Sequence, residues 1–173
     1  MTEAVKLVDQ ILDEHKQIGE DFKSLEGISG DVEAAARLAG DRVKDDFVPR
    51  ALDDQGEGLK RWIHQLEVLE KGLRDHFRRE ETALADAFKL EGTPELVEAL
   101  NELLSEHGAL LRHIEKLRSD ANAIASGGRR IEVWEGKGWG MKYNVESLRQ
   151  EILAHAEREK ELFTRLKSRI KRD

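Results

Sequence analysis

The sequence contains no cysteine, which excludes disulfide bonds, zinc ribbons, thiolate-bound iron–sulfur clusters and thiol catalysis. It contains only two prolines, Pro49 and Pro94, so little interrupts long helices. No apolar run approaches the roughly 18 residues that a transmembrane helix needs. The N-terminal residues are acidic and periodic, unlike a secretory signal peptide, which starts basic and continues apolar. We therefore expect a soluble cytoplasmic protein.

The charge balance is acidic. A formal net charge of −7 argues against a protein that binds nucleic acid by neutralising phosphates, and against a polybasic membrane-surface protein. Charged residues make up 38% of the chain, and leucine, alanine, glutamate, lysine and arginine dominate, as in long helices. A length of 173 residues suits one domain, which we expect to span residues 1–173.

Four long amphipathic helices are predicted, because apolar residues recur at alternating spacings of three and four. Their approximate ranges are Glu3 to Leu25, Leu59 to Leu90, Thr93 to Ile124 and Met141 to Lys171. Helices of this length, each with one apolar stripe, pack as an all-α antiparallel up-down-up-down four-helix bundle.

The connections between these helices are predicted from glycine and proline. Gly27 and Gly30 are expected to end the first helix, and Asp31 to Val48 is expected to form an extra short helix closed by Pro49. The glycine-rich segment Gly127 to Gly140, with its two tryptophans, is predicted to be a loop that caps one end of the bundle.

Six polar residues occupy apolar positions of the helices without disturbing the spacing around them. They are His15, His76, Glu80, His107, His155 and Glu159. A buried carboxylate without a partner costs several kcal/mol, even after relaxation. No lysine or arginine lies on the same stripes, so a cation bound by imidazoles is the expected source of compensating charge.

The positions of the six residues support a metal site. His76 and Glu80 are four residues apart, as are His155 and Glu159, so each pair projects from one helix face. All four histidines fall near the middle of a predicted helix, where the helices of a bundle meet at one level. A single buried histidine is more often a hydrogen-bonded core residue than a ligand. Four of four on the buried face is a coincidence of roughly 1–3%.

Other polar residues have less distinct roles. Glu14, Asp75 and Glu106 each precede a candidate ligand and could accept a hydrogen bond from an imidazole, although a solvated helix flank explains them equally well. His64 and His113 lie off the stripes and are expected to be exposed or structural. Tyr143 lies 12 residues before His155, about 18 Å along a helix, so it is not expected to take part in redox chemistry.

The order of these residues resembles that of the hemerythrin-like (HHE cation-binding) family, whose ligands come from four consecutive helices, and the resemblance covers nearly the whole chain. It implies two iron ions, bridged by two carboxylates and by an oxo or hydroxo group. The implied bridges are Glu80 and Glu159, the implied ligands of one iron are His15 and His76, and those of the other are His107 and His155. Ferritin-like bundles do not fit, because they use Glu-x-x-His on two helices and lone glutamates on the others.

The sequence departs from the oxygen-carrying members of that family at two places. Their second histidine, one turn after the ligand on the third helix, is replaced here by Leu111, and their final His-x-x-x-x-Asp is here His155-x-x-x-Glu159. The variant resembles members linked to iron–sulfur cluster repair, iron sensing, or peroxide and nitric oxide handling. One histidine fewer implies an additional open position at the second iron.

Three functions follow as hypotheses. The first is a di-iron protein that binds or reduces dioxygen, peroxide or nitric oxide, with enzymatic turnover left open. The second is a module that stores, senses or delivers iron. The third is a metal-free structural bundle. Histidine and carboxylate ligands also accept manganese, zinc or nickel, so the metal loaded in a preparation is open. Neither a nucleic-acid nor a membrane partner is expected.

Overall fold

The computed structural model describes residues 2–40, 58–125 and 131–172, and these residues are helical apart from short turns and ends. The helical elements are α1 Glu3–Gly40, α2 Gly58–Arg79, a π-helical turn Glu80–Leu84, α3 Ala85–Glu91, α4 Pro94–Leu104, α5 His107–Ala125 and α6 Ile131–Ile170. No strand occurs in the described ranges. The prediction of an all-α fold built on four long helical segments is confirmed.

Two predicted connections differ from the structure. The glycines expected to end the first helix lie inside α1, which continues to Gly40; the rest of the predicted short helix, from residue 41 on, lies outside the described residues. The predicted loop is wrong from Ile131 onward, because α6 already begins there. A glycine inside a helix costs about 1 kcal/mol relative to alanine, which weakens a helix without forbidding it.

The helices bury their apolar stripes in two separate clusters. The larger cluster contains Phe22 of α1, Trp62 of α2, Ile114 of α5 and Leu148 of α6 among its fully buried members. The smaller cluster joins the beginning of α1, the α3 and α4 segments and the end of α6; its members include Ile11, Phe88, Leu100 and Phe163. Along every helical segment the six polar residues lie between the two clusters, so a polar layer divides the apolar core.

Helix neighbours form a closed cycle around this core. α1 packs against α2 and α6, and α5 packs against the same two helices. Each long helical segment therefore packs against two others at the level of the polar layer. No helix in the described ranges is long and apolar enough to cross a membrane.

The second and third helical segments, α2–α3 and α4–α5, are irregular where they pass through the polar layer. Residues Glu80–Leu84 form a π-helical turn, in which the Ala85 amide donates to the carbonyl of Glu80. An α-helix rotates residue i+4 by about 40° relative to residue i, and the wider π turn offsets part of this drift between Glu80 and Leu84, both of which are buried. In the next segment, a turn at Ser105 and Glu106 separates α4 from α5 immediately before His107.

Candidate metal centre

The six predicted residues converge in the polar layer. They form two groups that share both glutamates: a first group of His15, His76, Glu80 and Glu159, and a second group of Glu80, His107, His155 and Glu159. Within each group the potential ligand atoms all lie within 4.8 Å of one another. Five of the six side chains are at most 2% exposed, and His15 is 12% exposed.

Each glutamate divides its two oxygens between the two groups. Oε1 of Glu80 lies 3.3 Å from Nε2 of His76, while its Oε2 lies 3.3 Å from Nε2 of His107. Oε2 of Glu159 lies 3.1 Å from Nε2 of His15, while its Oε1 lies 2.9 Å from Nε2 of His155. Both carboxylates are therefore placed to bridge two cations.

The spacing of the donor atoms within a group suits a shared cation. Nε2 of His15 and Nε2 of His76 are 3.1 Å apart. Two nitrogen ligands at about 2.1 Å from one metal ion, at an angle of about 95°, lie about 3.1 Å from each other. The separation of these two nitrogens therefore matches that of two ligands on one small cation.

Buried polar atoms without hydrogen-bond partners are concentrated at this site. In the described chain they include both carboxylate oxygens of Glu80 and Glu159 and the Nε2 atoms of His107 and His155. A buried polar group left unpaired costs about 1–3 kcal/mol, and more if it is charged. The residues present therefore fit a metal ion, which would satisfy all of these atoms at once.

A third buried carboxylate, Glu70, shows how this protein neutralises a charge without a metal. Glu70 is 5% exposed, accepts a hydrogen bond of 3.0 Å from Nε of Arg74, and has Nη1 of Arg118 2.8 Å from its second oxygen. No lysine or arginine within the described ranges lies within 4 Å of Glu80 or Glu159; only imidazoles do. The polar layer therefore lacks fixed positive charge.

Without a metal, the histidines themselves must supply positive charge to the layer. Burial acts to lower the pKa of His15, but Glu159 and Glu80 outweigh it and raise the pKa to about 9. The same opposition raises the pKa of His107 to about 10. Burial acts to raise the pKa of Glu159, yet the three imidazoles around it hold that pKa far below its ordinary value. Protons and metal ions therefore compete for the same atoms.

Carboxylates outside the two groups hold three of the four imidazoles. Nδ1 of His76 lies 3.0 Å from Glu14, Nδ1 of His107 lies 2.9 Å from Glu81, and Nδ1 of His155 lies 2.9 Å from Glu106. Glu14, Glu81 and Glu106 are called the outer carboxylates below. An ionised carboxylate only accepts hydrogen bonds, so each Nδ1 donates a proton to its carboxylate, and Nε2 is the nitrogen that faces the polar layer and is left to bind a proton or a metal.

Hydrogen bonds from an imidazole and an arginine keep each of two outer carboxylates ionised. Burial acts to raise the pKa of Glu14, but hydrogen bonds from His76, Arg79 and Gln10 outweigh it and lower the pKa. A hydrogen bond from Arg158, followed by one from His155, lowers the pKa of Glu106. The tautomers of His76 and His155 are thereby fixed in the form that can bind a metal.

The sequence left open whether Glu14, Asp75 and Glu106 hold an imidazole or lie on a solvated flank, and two of the three hold an imidazole. Glu14 and Glu106 each serve the histidine of the neighbouring helix and not the ligand that follows them, because successive helical residues point about 100° apart. Asp75 contacts Lys71 at the surface and no imidazole. Glu81 was missed because it follows Glu80 on the outer side of the stripe, and only the π turn and the packing of α5 bring it to His107.

The remaining singled-out residues lie away from the groups. His64 is exposed, His113 faces Glu151 at 3.2 Å, and Tyr143 is 60% exposed. Leu111 is partly buried and packs against the larger apolar cluster.

A small cavity lies against the site on the side of the larger cluster. It offers about 10 Å³ to the centre of a water-sized molecule and touches His15, His76, His155 and Glu159. The rest of its lining is apolar: Ile18, Leu73, Phe77, Ile152, Leu153 and Ala156. A cavity of this size holds about one very small molecule.

Comparison with known proteins adds an independent finding. Neither the curated proteins nor the solved structures included a match. The family model for the hemerythrin HHE cation-binding domain, in contrast, matches residues 6–166, a range that contains all six residues of the polar layer. The chain therefore belongs to the hemerythrin HHE cation-binding family.

Proposed function

We propose that this protein holds two iron ions in its polar layer, one in each group, with Glu80 and Glu159 bridging them. The observation that carries the proposal is the division of both carboxylates between two pairs of imidazoles. The full ligand set is His15, His76, Glu80, His107, His155 and Glu159. Membership of a cation-binding family supports a metal at this place, and the unpaired buried oxygens support its high positive charge.

The second part of the proposal is that the centre binds or reacts with a small ligand such as dioxygen, nitric oxide or peroxide. Four donors per group leave coordination positions for an added ligand at an octahedral ion. The adjacent cavity admits only a very small molecule, and its lining is apolar apart from His15, His76, His155 and Glu159. When bound, the iron supplies the redox chemistry, and this chain supplies the enclosure and the fixed imidazole tautomers.

The arrangement of the chain is part of the proposal. The two apolar clusters are met in the order smaller then larger along α1 and along α4–α5, but larger then smaller along α2–α3 and along α6. This alternation supports an antiparallel up-down-up-down bundle. We also propose that the chain forms a single metal-binding domain around one centre.

Metal analysis with an optical spectrum tests the proposal. Protein reconstituted with ferrous iron without oxygen should contain two irons per chain. On exposure to air it should develop near-ultraviolet charge-transfer absorption, and azide should shift this absorption. A colourless protein with less than one iron per chain would contradict the proposal.

A second candidate is iron storage, sensing or delivery without turnover. The observation that favours it is the 12% exposure of His15, which leaves one edge of the layer open to solvent. Such a protein should lose iron readily to a chelator and show negligible peroxide consumption. Sustained peroxide or nitric oxide turnover at intact iron content would instead favour the first candidate.

A further inference from the structure

The four imidazoles of the polar layer are not held equally. Both histidines of the second group donate Nδ1–H to a carboxylate, His107 to Glu81 and His155 to Glu106. In the first group only His76 does so, to Glu14. Among the residues that the structure describes, no carboxylate is hydrogen-bonded to Nδ1 of His15, whose contacts with the layer all run through Nε2.

His15 also differs in its surroundings. The phenyl ring of Phe163 is stacked on it at a centroid distance of 6.4 Å and an interplanar angle of 18°, and this ring offers no acceptor for a ring proton. Ala156 of α6 lines the same cavity as His15, and its methyl group can accept no hydrogen bond either. The ring is 12% exposed, whereas the other three are at most 2% exposed.

These differences bear on metal affinity. A carboxylate on the far nitrogen fixes the tautomer and the orientation of a ligating imidazole and makes it more basic, and losing such a partner typically costs 10–100-fold in metal affinity. Without such a partner, the tautomer and the ring orientation of His15 are not fixed before the metal binds. Its partial exposure also gives water and chelators a direct route to the first group.

We propose that the two cation positions are inequivalent: the first group, His15 and His76 with the two glutamates, exchanges its metal, and the second group retains it. This inference rests on the proposed two-metal centre and adds to it the place where metal is exchanged. Metal enters and leaves at the His15 edge, between α1 and α6. The chain would then act as a donor of one cation per molecule while the second cation keeps the bundle assembled.

Stepwise release of iron tests the proposal. Protein loaded anaerobically with two equivalents of Fe²⁺ is mixed with a ferrous chelator, and released metal is followed by absorbance and residual metal by elemental analysis. We expect two phases of one equivalent each, with affinities that differ about 10–100-fold. Uptake of fewer than two equivalents overturns both the two-metal centre and the inference. Release of two equivalents in one phase overturns the inference alone.

Variants assign the phases to the groups. His15→Ala should abolish the weak equivalent and keep the tight one. Glu106→Gln, at a partly exposed position that leaves the core intact, should weaken the tight equivalent about 10–100-fold and leave the weak one unchanged. Asp75→Asn is the matched control, because Asp75 also precedes a ligand but contacts Lys71, and both phases should persist.

The opposite assignment has a distinct signature. If His15→Ala lost the tight equivalent, or if Glu106→Gln weakened only the weak one, the inference would be wrong. Helical circular dichroism of each metal-free variant checks folding. Should His15→Ala not fold, Glu14→Gln takes its place: it removes the support of His76 and should weaken only the weak equivalent.

Discussion

Glu80 and Glu159 make equivalent contacts in the polar layer. Each has one oxygen next to the His15–His76 pair and the other oxygen next to the His107–His155 pair. Neither has a lysine or arginine partner within the described ranges. In the proposed centre this shared geometry would make the two carboxylates the link between two cation positions, so a change at either carboxylate should alter metal binding at both positions.

Substituting Glu80→Gln should leave at most one metal equivalent per chain, because an amide keeps the shape but does not bridge two cations as a carboxylate does. Glu70→Gln is the matched control. Glu70 is equally buried in the same helical segment but is paired with arginines, so this variant should keep both equivalents and lose about 1 kcal/mol of stability. Elemental analysis and urea denaturation measure the two effects. Full metal content in Glu80→Gln would contradict the bridging role.

The stability of the metal-free protein should fall as the solution becomes alkaline. Carboxylates raise the pKa of His15 to about 9 and that of His107 to about 10, above the ordinary value of 6.5. The stabilisation from these imidazolium ions is therefore complete below pH 6.5 and is lost as the pH rises through 9 to 10. The lowered pKa of Glu159 acts oppositely: its contribution is present above its ordinary pKa of 4.5 and is lost as the pH falls.

Urea denaturation of the metal-free protein across pH measures this profile. The optimum contributed by these groups should lie between about pH 4.5 and 6.5. A stability that rose steadily from pH 6.5 to 10 would show that the histidines are not held as cations by the glutamates.

Metal binding should show the reverse dependence on pH, because imidazole must be neutral to bind a cation. Since His15 and His107 hold protons with pKa values of about 9 and about 10, metal uptake near neutral pH should release protons. Calorimetry in two buffers of different ionisation enthalpy counts them, and occupancy should be lost below about pH 6. Full occupancy at pH 4 would exclude histidine ligation.

Phe77→Ala should destabilise the protein and change access to the centre. The Phe77 ring is stacked on His107 at a centroid distance of 3.9 Å, is 2% exposed and lines the cavity. Its removal should cost about 3–5 kcal/mol and enlarge the cavity, so azide should bind faster to the metal-loaded protein. Phe22→Ala is the control: Phe22 is fully buried in the same cluster away from the cavity, so stability should fall without a change in azide binding.

Leu111→His tests whether the leucine leaves a coordination position open. Leu111 lies one turn after His107 and packs against the larger cluster. A histidine that reaches the second metal should fill that position and slow azide or peroxide binding in stopped-flow measurements. Leu111→Gln, polar but a poor metal ligand, separates this effect from the disturbance of packing. Unchanged ligand binding in Leu111→His would mean that position 111 does not face the metal.

Much of the candidate site could be predicted from the sequence because apolar periodicity and residue type are local signals. The placement of His76 and Glu80 on one face follows from their spacing alone. The partners of the imidazoles could be predicted only in part, since Glu14 and Glu106 reach across to neighbouring helices and their targets depend on packing. Glu81 depends further on the π turn, which has no simple sequence signal.

The least accurate predictions concerned helix ends. Glycines are predicted to stop helices, yet α1 continues past Gly27 and Gly30, and α6 begins ten residues before Met141. The stop at Gly92 was correct: it follows α3, and a Cβ there would collide with the carbonyl oxygen of Phe88. A glycine ends a helix reliably only where the backbone or its neighbours require the missing side chain.

The polar layer also affects how the protein unfolds. The protein has two separate apolar clusters in place of one continuous core. The level of the histidines and glutamates lies between them. Within the described residues of the metal-free protein, the two ends are connected through the helix backbone, the titratable side chains and the phenyl rings stacked on His15 and His107. In the proposed centre, six ligands from four helical segments would be tied to one metal site. Metal binding should then raise the cooperativity of unfolding, because it would join two small cores into one folding unit.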